Sequence, residues 1–374
     1  MEFLEIKTRL PAISLTYDVA TARVMGETIM PSVVPEMMSP FSDRMSLLER
    51  IINTALSPII QKYVGIPEYL SYSKPRKPVD YLSLIPKSPF LLINSNPYID
   101  FPRSTITKTV QIGGISVNLE KLRAEKISQK WSDILNLRPK TMLISFGSLQ
   151  QSQFMPDSYK SALLETFSKF AENVTFIWKY EADDILRNAT TTANVIFEKW
   201  VPQRALLMDP RLTAFFTHAG LGSVNEVSYS GKPAILCPIF ADQMRNAKML
   251  ARHQGAIEFS KFDLNNPQKL EKSIHQILFD EKFAENSRNL ARRLENQPIK
   301  PAELLVRHCE FAAEFGELPS LDPYSRQMSF FTFFMIDQLL IFTVMFGAIF
   351  GLFVAVLKFI ARRVFMSEKV LKID

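Results

Sequence analysis

From Lys140 onward the chain carries five short runs that are apolar almost throughout: Thr141–Phe146, Val174–Lys179, Val195–Phe197, Leu212–Thr217 and Ala234–Cys237. A strand with one face in water alternates polar and apolar residues, so runs of this kind are strands covered on both faces. Helical stretches alternate with them at Pro156–Glu172, Ala205–Met208, Ser223–Ser230 and Asp242–Gln254, and two more follow at Pro267–Phe279 and Glu281–Glu295. The pattern predicts an α/β architecture, a parallel sheet with helices on both faces. Such sheets bind ligands outside the carboxyl ends of their strands, where the strand order reverses.

Polar or glycine clusters stand at four of those strand ends: Gly147-Ser148, Trp200–Gln203, Thr217–Ser223 and Phe240–Gln243. The third follows a strand and opens a helix. Its glycines, Gly220 and Gly222, let backbone approach a ligand, and a helix N-terminus offers free N–H groups and partial positive charge. That suits a diphosphate, to which His218 could give a charge-assisted hydrogen bond; its plainer reading is a satisfied core histidine. Trp200 could stack on a flat base, with the Gln203 amide reading polar edges, or it could be core. Asp242 and Gln243 suit sugar hydroxyls, although Asp242 could equally be a helix N-cap. Arg245 reads as a charge on a solvated helix face, its other reading being a partner for a ligand carboxylate.

Neither G-x-G-x-x-G nor a Walker lysine is present, so no dinucleotide or ATP is expected. The two cysteines, Cys237 and Cys309, and four scattered histidines show no zinc spacing, so neither a metal nor a cofactor is expected. The formal charge of +6 is concentrated in part near the end, and no Lys/Arg stripe interleaved with aromatics appears, which argues against nucleic acid.

Leu339–Leu357 is a run of 19 residues without charge. A membrane-spanning helix needs roughly 20 apolar residues. No polar stripe runs through it, and Lys358, Arg362 and Arg363 follow at once. The positive-inside rule then puts Lys358–Asp374 in the cytosol and the body across the membrane. Sequons at Asn173 and Asn188 agree with that side, Asn173 being the poorer because it abuts a strand. Residues Met1–Lys7 lack a basic segment followed by an apolar one, so no signal peptide is read there.

Before the α/β pattern the text is sparser and proline-rich, and the body divides near residues 102–120. Helices are expected over Tyr17–Met30 and over Phe41–Val64, the latter capped by Ser42-Asp43, with a buried strand at Phe90–Asn94 and a turn at Gly113-Gly114.

The run Phe215–Glu226, followed by Gly231-Lys232-Pro233, Pro238 and Asp242-Gln243, resembles the signature of family 1 UDP-glycosyltransferases. Trp200–Gln203 and Phe146-Gly147-Ser148 match further motifs of that family. Pro31–Pro35, Phe41–Met45 and Phe101-Pro102-Arg103 resemble its animal, membrane-anchored UDP-glucuronosyltransferase branch. The resemblance implies a GT-B fold with a complete C-terminal Rossmann-like domain, a partial N-terminal domain and one transmembrane helix. It implies a partial acceptor-binding domain over 1–108, a linker over 109–139, a UDP-sugar-binding domain over 140–316, a transmembrane helix over 335–357 and a basic tail over 358–374.

By resemblance, Trp200 stacks on uracil and Gln203 contacts the uridine. Ser148, His218, Gly220, Gly222 and Ser223 hold the diphosphate, Glu226 the ribose, and Asp242 and Gln243 the transferred sugar. Many relatives have Asn at the position of Gly222. The implied reaction is metal-independent inverting transfer of glucuronic acid or glucose from a UDP-sugar, a substrate and not a cofactor, to a small lipophilic acceptor. The family's catalytic His and Asp lie in a part of the N-terminal domain that residues 1–108 do not resemble, so no catalytic residue is assigned. The alternative is an inactive UDP-sugar-binding short form that pairs with full-length relatives, as a homo- or hetero-oligomer. The resemblance also implies the endoplasmic reticulum, with a lumenal body and a cytosolic tail.

Overall fold

The computed structural model of the chain describes residues 8–16, 18–63, 84–182 and 193–370. Two compact units result, residues 1–322 and 323–374.

The first unit holds two parallel sheets. In the smaller, β1 (Ala12–Ile13), β2 (Leu91–Ile93) and β3 (Thr109–Gln111) lie in the order β1-β2-β3. Its helices are α1 (Val19–Met25) and α2 (Leu47–Tyr63). The expected helix from Tyr17 to Met30 is shorter: Asp18 caps its N-terminus, accepting from Thr21 N, and Gly26 ends it at φ 77°. The second starts later than Ser42-Asp43 predicted, because the cap is Ser46. Its hydroxyl accepts from Glu49 N at 3.3 Å while Glu49 Oε2 accepts from Ser46 N at 2.7 Å, a reciprocal pair that satisfies two end donors. Tyr17, Val64 and the Asn188 sequon lie outside the described residues.

Two short helices, α3 (Leu119–Ala124) and α4 (Gln129–Leu135), lead to the larger sheet. It contains β4 (Lys140–Ser145), β5 (Val174–Lys179), β6 (Val195–Glu198), β7 (Leu212–Thr217), β8 (Ala234–Leu236) and β9 (Ala256–Glu258). Its helices are α5 (Asp157–Ser168), α6 (Gln203–Met208), α7 (Leu221–Ser230), α8 (Gln243–Ala251), α9 (Pro267–Phe279) and α10 (Glu281–Glu295). The five expected strands stand where their apolar runs are; β9 was not expected, being a three-residue edge strand with one apolar side chain fully buried.

The order is β6-β5-β4-β7-β8-β9, every pairing parallel. Along β4, Met142 and Ile144 enter the core layer under α5 and α9, while Leu143 enters the opposite layer with Leu206, Val224 and Leu250. Burying each such side chain stabilises the fold by about 1.5–3 kcal/mol, which is why the strands tolerate no polar face. From β4 the chain builds outward to β6, then crosses back and builds β7 to β9 on the other side. The order therefore reverses between β4 and β7.

After α10 the chain returns to the smaller sheet. There α11 (Pro301–Phe315) lays Ala312 and Leu304 against Phe90, Leu92 and Val110, and the His308 ring meets Phe90 edge-on at 4.7 Å. The sheets are also tied through α8, where Arg245 pairs with Asp100 at 2.8 Å, both buried. Burial alone would raise the Asp100 carboxyl. The Arg245 charge, with hydrogen bonds from Ser95 and the Phe101 N–H and the charge of Arg103, outweighs that and holds it below the ordinary carboxylate range.

In the second unit, Met335 at φ 57° separates a single turn, α12 (Phe330–Phe333), from α13 (Ile336–Val370). Within α13, Ile336–Arg363 is long and apolar enough to cross a membrane, and among the described residues it is the one such helix. It takes in the expected run and continues through Lys358, Arg362 and Arg363 without a break.

Candidate nucleotide-sugar site

The reversal between β4 and β7 leaves a crevice at the carboxyl ends of those strands. A cleft of about 630 Å³ opens there. Of the residues expected from sequence, Ser148, Trp200, Gln203, His218, Gly220, Gly222, Ser223, Glu226 and Gln243 line it.

Two glycines shape the floor. A Cβ on Gly147, whose φ is +90°, would stand 2.7 Å from the His218 ring, and one on Gly220 would stand 2.5 Å from it. The imidazole is thus held between two backbone segments, and a Cβ at either position would have to displace the ring. Gly220 is also the N-cap of α7. The first helical bond runs from Val224 N to Gly220 O at 2.9 Å, so the N–H groups of Leu221, Gly222 and Ser223 have no intrahelical acceptor. A Cβ on Gly222 would meet nothing within 4 Å, so this position opens on free space.

Burial, then the nearby Lys179 charge, lowers the His218 pKa to about 4. The imidazole is therefore neutral near pH 7 in the open cleft. A neutral imidazole N–H can still give a charge-assisted bond to an ionised acceptor.

At the Glu226 end of the cleft, Gln203 Nε2 donates to Glu226 Oε2 at 2.7 Å and to Ser223 Oγ at 3.2 Å. Burial raises the Glu226 pKa, with the Gln203 bond and the Arg204 charge opposing. Trp200 is 70% exposed, its ring open to the cleft. This removes the core reading and leaves a platform.

At the remaining strand end, Gln243 Oε1 accepts from Ile239 N at 2.9 Å and Phe240 N at 3.1 Å, which closes the loop and leaves the amide NH₂ as its donor. Asp242 is placed differently from its neighbours. It does not line the cleft, and its Oδ2 accepts from Asn246 Nδ2 at 2.7 Å. It holds the N-cap position of α8 without a side-chain cap bond.

Sequence reading missed Lys179, Asn246 and the setting of Arg245. The Lys179 Nζ donates to Gly147 O at 2.9 Å and to Glu181 Oε1 at 2.7 Å, and lies 5.9 Å over the Trp200 ring. A lysine ending an apolar strand was the available signal. Asn246 also donates to Ala219 O at 3.2 Å, tying α8 to the loop after β7. Arg245 is 1% exposed, not solvated, and the carboxylate it meets belongs to Asp100.

Human UDP-glucuronosyltransferase 1A6 is 26% identical over 311 residues, 82% of this chain and 56% of that protein. Rat UDP-glucuronosyltransferase 1-2 is 24% identical over 311 residues, with the same coverage of 82% and 56%. The chain thus spans about half the length of the curated relatives it matches. Among solved structures, Os79 from O. sativa, in complex with UDP, superposes with a TM-score of 0.54 at 15% identity, covering 82% of this chain and 73% of that one. The glycotransferase of kitacinnamycin gives 0.53 at 18% identity, covering 83% and 77%. The fold is that of GT-B glycosyltransferases. The family model described as UDP-glucoronosyl and UDP-glucosyl transferase matches residues 2–370, and the chain belongs to that family.

Proposed function

We propose that the cleft binds a UDP-sugar and that the chain serves transfer of its sugar, glucuronic acid or glucose, to a small lipophilic acceptor with inversion and without a metal. In this reading uracil stacks on Trp200 and meets Gln203, and the ribose hydroxyls donate to Glu226. The diphosphate lies against Ser148, His218 and the N–H groups of Gly222 and Ser223, beside Gly220. The sugar lies towards Gln243, with Asp242 behind it. An acceptor hydroxyl attacks the anomeric carbon on the face opposite UDP, giving up its proton to a base that none of the residues named here supplies, and the anomeric C–O bond breaks with its electrons passing to the β-phosphate. The α7 N-terminus and His218 stabilise the charge that develops there.

The observation that carries the reading is the convergence of nine expected residues on one crevice at the strand-order reversal, with a glycine-walled histidine beside a helix N-terminus. The groups so assembled all serve the donor. That favours a second reading, a chain that holds UDP-sugar without turning it over and pairs with relatives. In both readings α13 anchors the chain in the endoplasmic reticulum membrane, with the body lumenal and the basic end cytosolic.

Calorimetry with UDP on the full chain in detergent, followed by radiolabelled transfer from UDP-glucuronic acid and UDP-glucose to simple phenols, decides between them. Binding with transfer is the expected result. Binding without transfer selects the second reading, and no binding of UDP overturns both.

A further inference from the structure

Arg245 is the third residue of α8, whose first residue is Gln243 and whose N-cap is Asp242. Its guanidinium is turned away from the donor cleft and towards the smaller sheet. Nη2 pairs with Asp100 Oδ1 at 2.8 Å, Nε donates to Pro35 O at 3.3 Å, and the plane lies 5.1 Å from the Phe101 ring centre. Asp100 is itself fixed, because Ser95 Oγ donates to Oδ2 and Phe101 N donates to Oδ1 at 2.7 Å. The other end of the helix repeats the attachment more weakly. Arg252 donates to Asp100 O at 2.8 Å, and His253 Nε2 lies 3.0 Å from Ile99 O.

The next residue faces the other way. Asn246 holds Asp242 at 2.7 Å and Ala219 O at 3.2 Å, and Ala219 adjoins His218. Neighbouring side chains of one turn therefore clamp α8 between the Asp100 turn and the loop that carries the donor cleft. A buried ion pair adds little net stability over a well-packed apolar pair of the same volume. What it does supply here is a single seat: a fork-shaped guanidinium with three simultaneous partners permits one height and one rotation of the helix.

We propose that Arg245 is a positioning residue for the sugar end of the donor site, setting through Asp100 where Asp242 and Gln243 stand relative to the transferred sugar. The inference rests on the donor-site reading above and adds a division of labour to it. In this reading uridine and diphosphate are held by groups outside α8, which make no contact with Arg245. The sugar is met by the tip of α8, which carries Arg245.

The test is calorimetry on the full chain in detergent with UDP, UDP-glucose and UDP-glucuronic acid, for wild type, Arg245→Met, Asp100→Asn, the double variant and Arg245→Lys. Arg245→Met and Asp100→Asn are expected to weaken the preferred UDP-sugar about tenfold or more, the order of loss for a misplaced orienting group. UDP affinity is expected to stay within about twofold, since the diphosphate loop is joined to α8 only indirectly, through the single Asn246–Ala219 hydrogen bond. The double variant loses no more than the worse single one. Arg245→Lys falls between, because an ammonium reaches Asp100 but not Pro35 O as well. Should Arg245→Met alone fail to fold, the double variant, which does not leave the Asp100 carboxylate buried without its partner, carries the same readout. Folded variants with unchanged UDP-sugar affinity, or with equal losses for UDP and UDP-sugar, overturn the inference and leave the donor site standing. A wild-type chain that binds no UDP overturns the donor site itself, and the inference with it.

Discussion

The two sheets of this protein end alike and use their ends differently. After β2 come Asn94, Ser95 and Asn96, and after β3 come Gly113 and Gly114, a set of amides, hydroxyls and glycines much like that after β4 and β7. In the smaller sheet these groups are consumed by protein. Asn94 Oδ1 accepts from Asn225, Asn96 Nδ2 donates to Gly113 O and to the Tyr229 hydroxyl, and Ser95 holds Asp100. A Cβ on Gly114, at φ +91°, would stand 2.4 Å from the Tyr229 ring. In the larger sheet the corresponding ring is His218, held by Gly147 and Gly220, and what lies in front of it is open cleft. A polar strand end is thus not yet a site. It becomes one when its buried partners hold the polar groups in place and leave their outer faces unspent.

That comparison can be broken most severely at its glycines. Gly114→Ala puts a methyl into the Tyr229 ring on a backbone that L-residues rarely adopt, and should cost about 3 kcal/mol or more of stability. Gly147→Ala faces the same kind of clash, against a half-buried histidine that can give way towards the cleft. It should lose less stability and more ligand, about a hundredfold in UDP affinity. Thermal unfolding and calorimetry on both variants check the contrast. If Gly147→Ala unfolds as readily as Gly114→Ala and still binds UDP, the two ends do not differ as described.

Next come the two rings. His218→Ala should lower UDP affinity by roughly ten- to a hundredfold, the loss of a hydrogen bond to a charged group, with little change in melting temperature. Tyr229→Phe removes a hydroxyl that receives Asn96 and Gln297, and should cost about 1–2 kcal/mol of stability with UDP binding unchanged. The histidine also carries a pH signature. Its pKa is about 4 in the open cleft; on the proposed reading a bound diphosphate should raise it, so that binding takes up a proton. A ligand bound with proton uptake binds more tightly as pH falls. Affinity for UDP-glucose, whose phosphates stay ionised, should therefore rise roughly two- to tenfold from about pH 7 to about pH 5. His218→Gln should flatten that slope, and a slope that survives the substitution assigns it to another group.

The smallest effect sharpens the comparison from the open side. Because nothing stands within 4 Å of a Cβ at Gly222, Gly222→Asn fits without displacing anything. Its amide can add one donor to the diphosphate, worth about 1 kcal/mol, or roughly fivefold in UDP affinity. No gain would mean that the backbone N–H already fills that role or that the phosphates lie elsewhere.

Much was settled by the order of the residues alone. Runs such as Met142-Leu143-Ile144, apolar throughout and of strand length, point to strands buried on both faces, and their alternation with helices points to a parallel sheet, hence to the end at which ligands bind. Trp200, Gln203, His218 and Ser223 could be singled out because each follows a strand end by a few residues, His218 and Ser223 beside Gly220 and Gly222; Glu226, inside a helix, was named only through the family resemblance. The apolar run before Lys358 was legible for a still simpler reason: its length and its lack of charge act independently of what packs near it. What the tertiary structure decided is partnership across long separations. Arg245 finds Asp100 145 positions earlier in the chain, Lys179 turns back to Gly147, and Asp242 turns from the cleft to Asn246. The state of His218, neutral and not charged, likewise depends on how deeply the folded chain buries it. Strand and helix follow from local sterics and from which faces must escape water. Where a charged side chain points depends on a desolvation cost that only its distant neighbours can offset, and those neighbours are chosen by the fold.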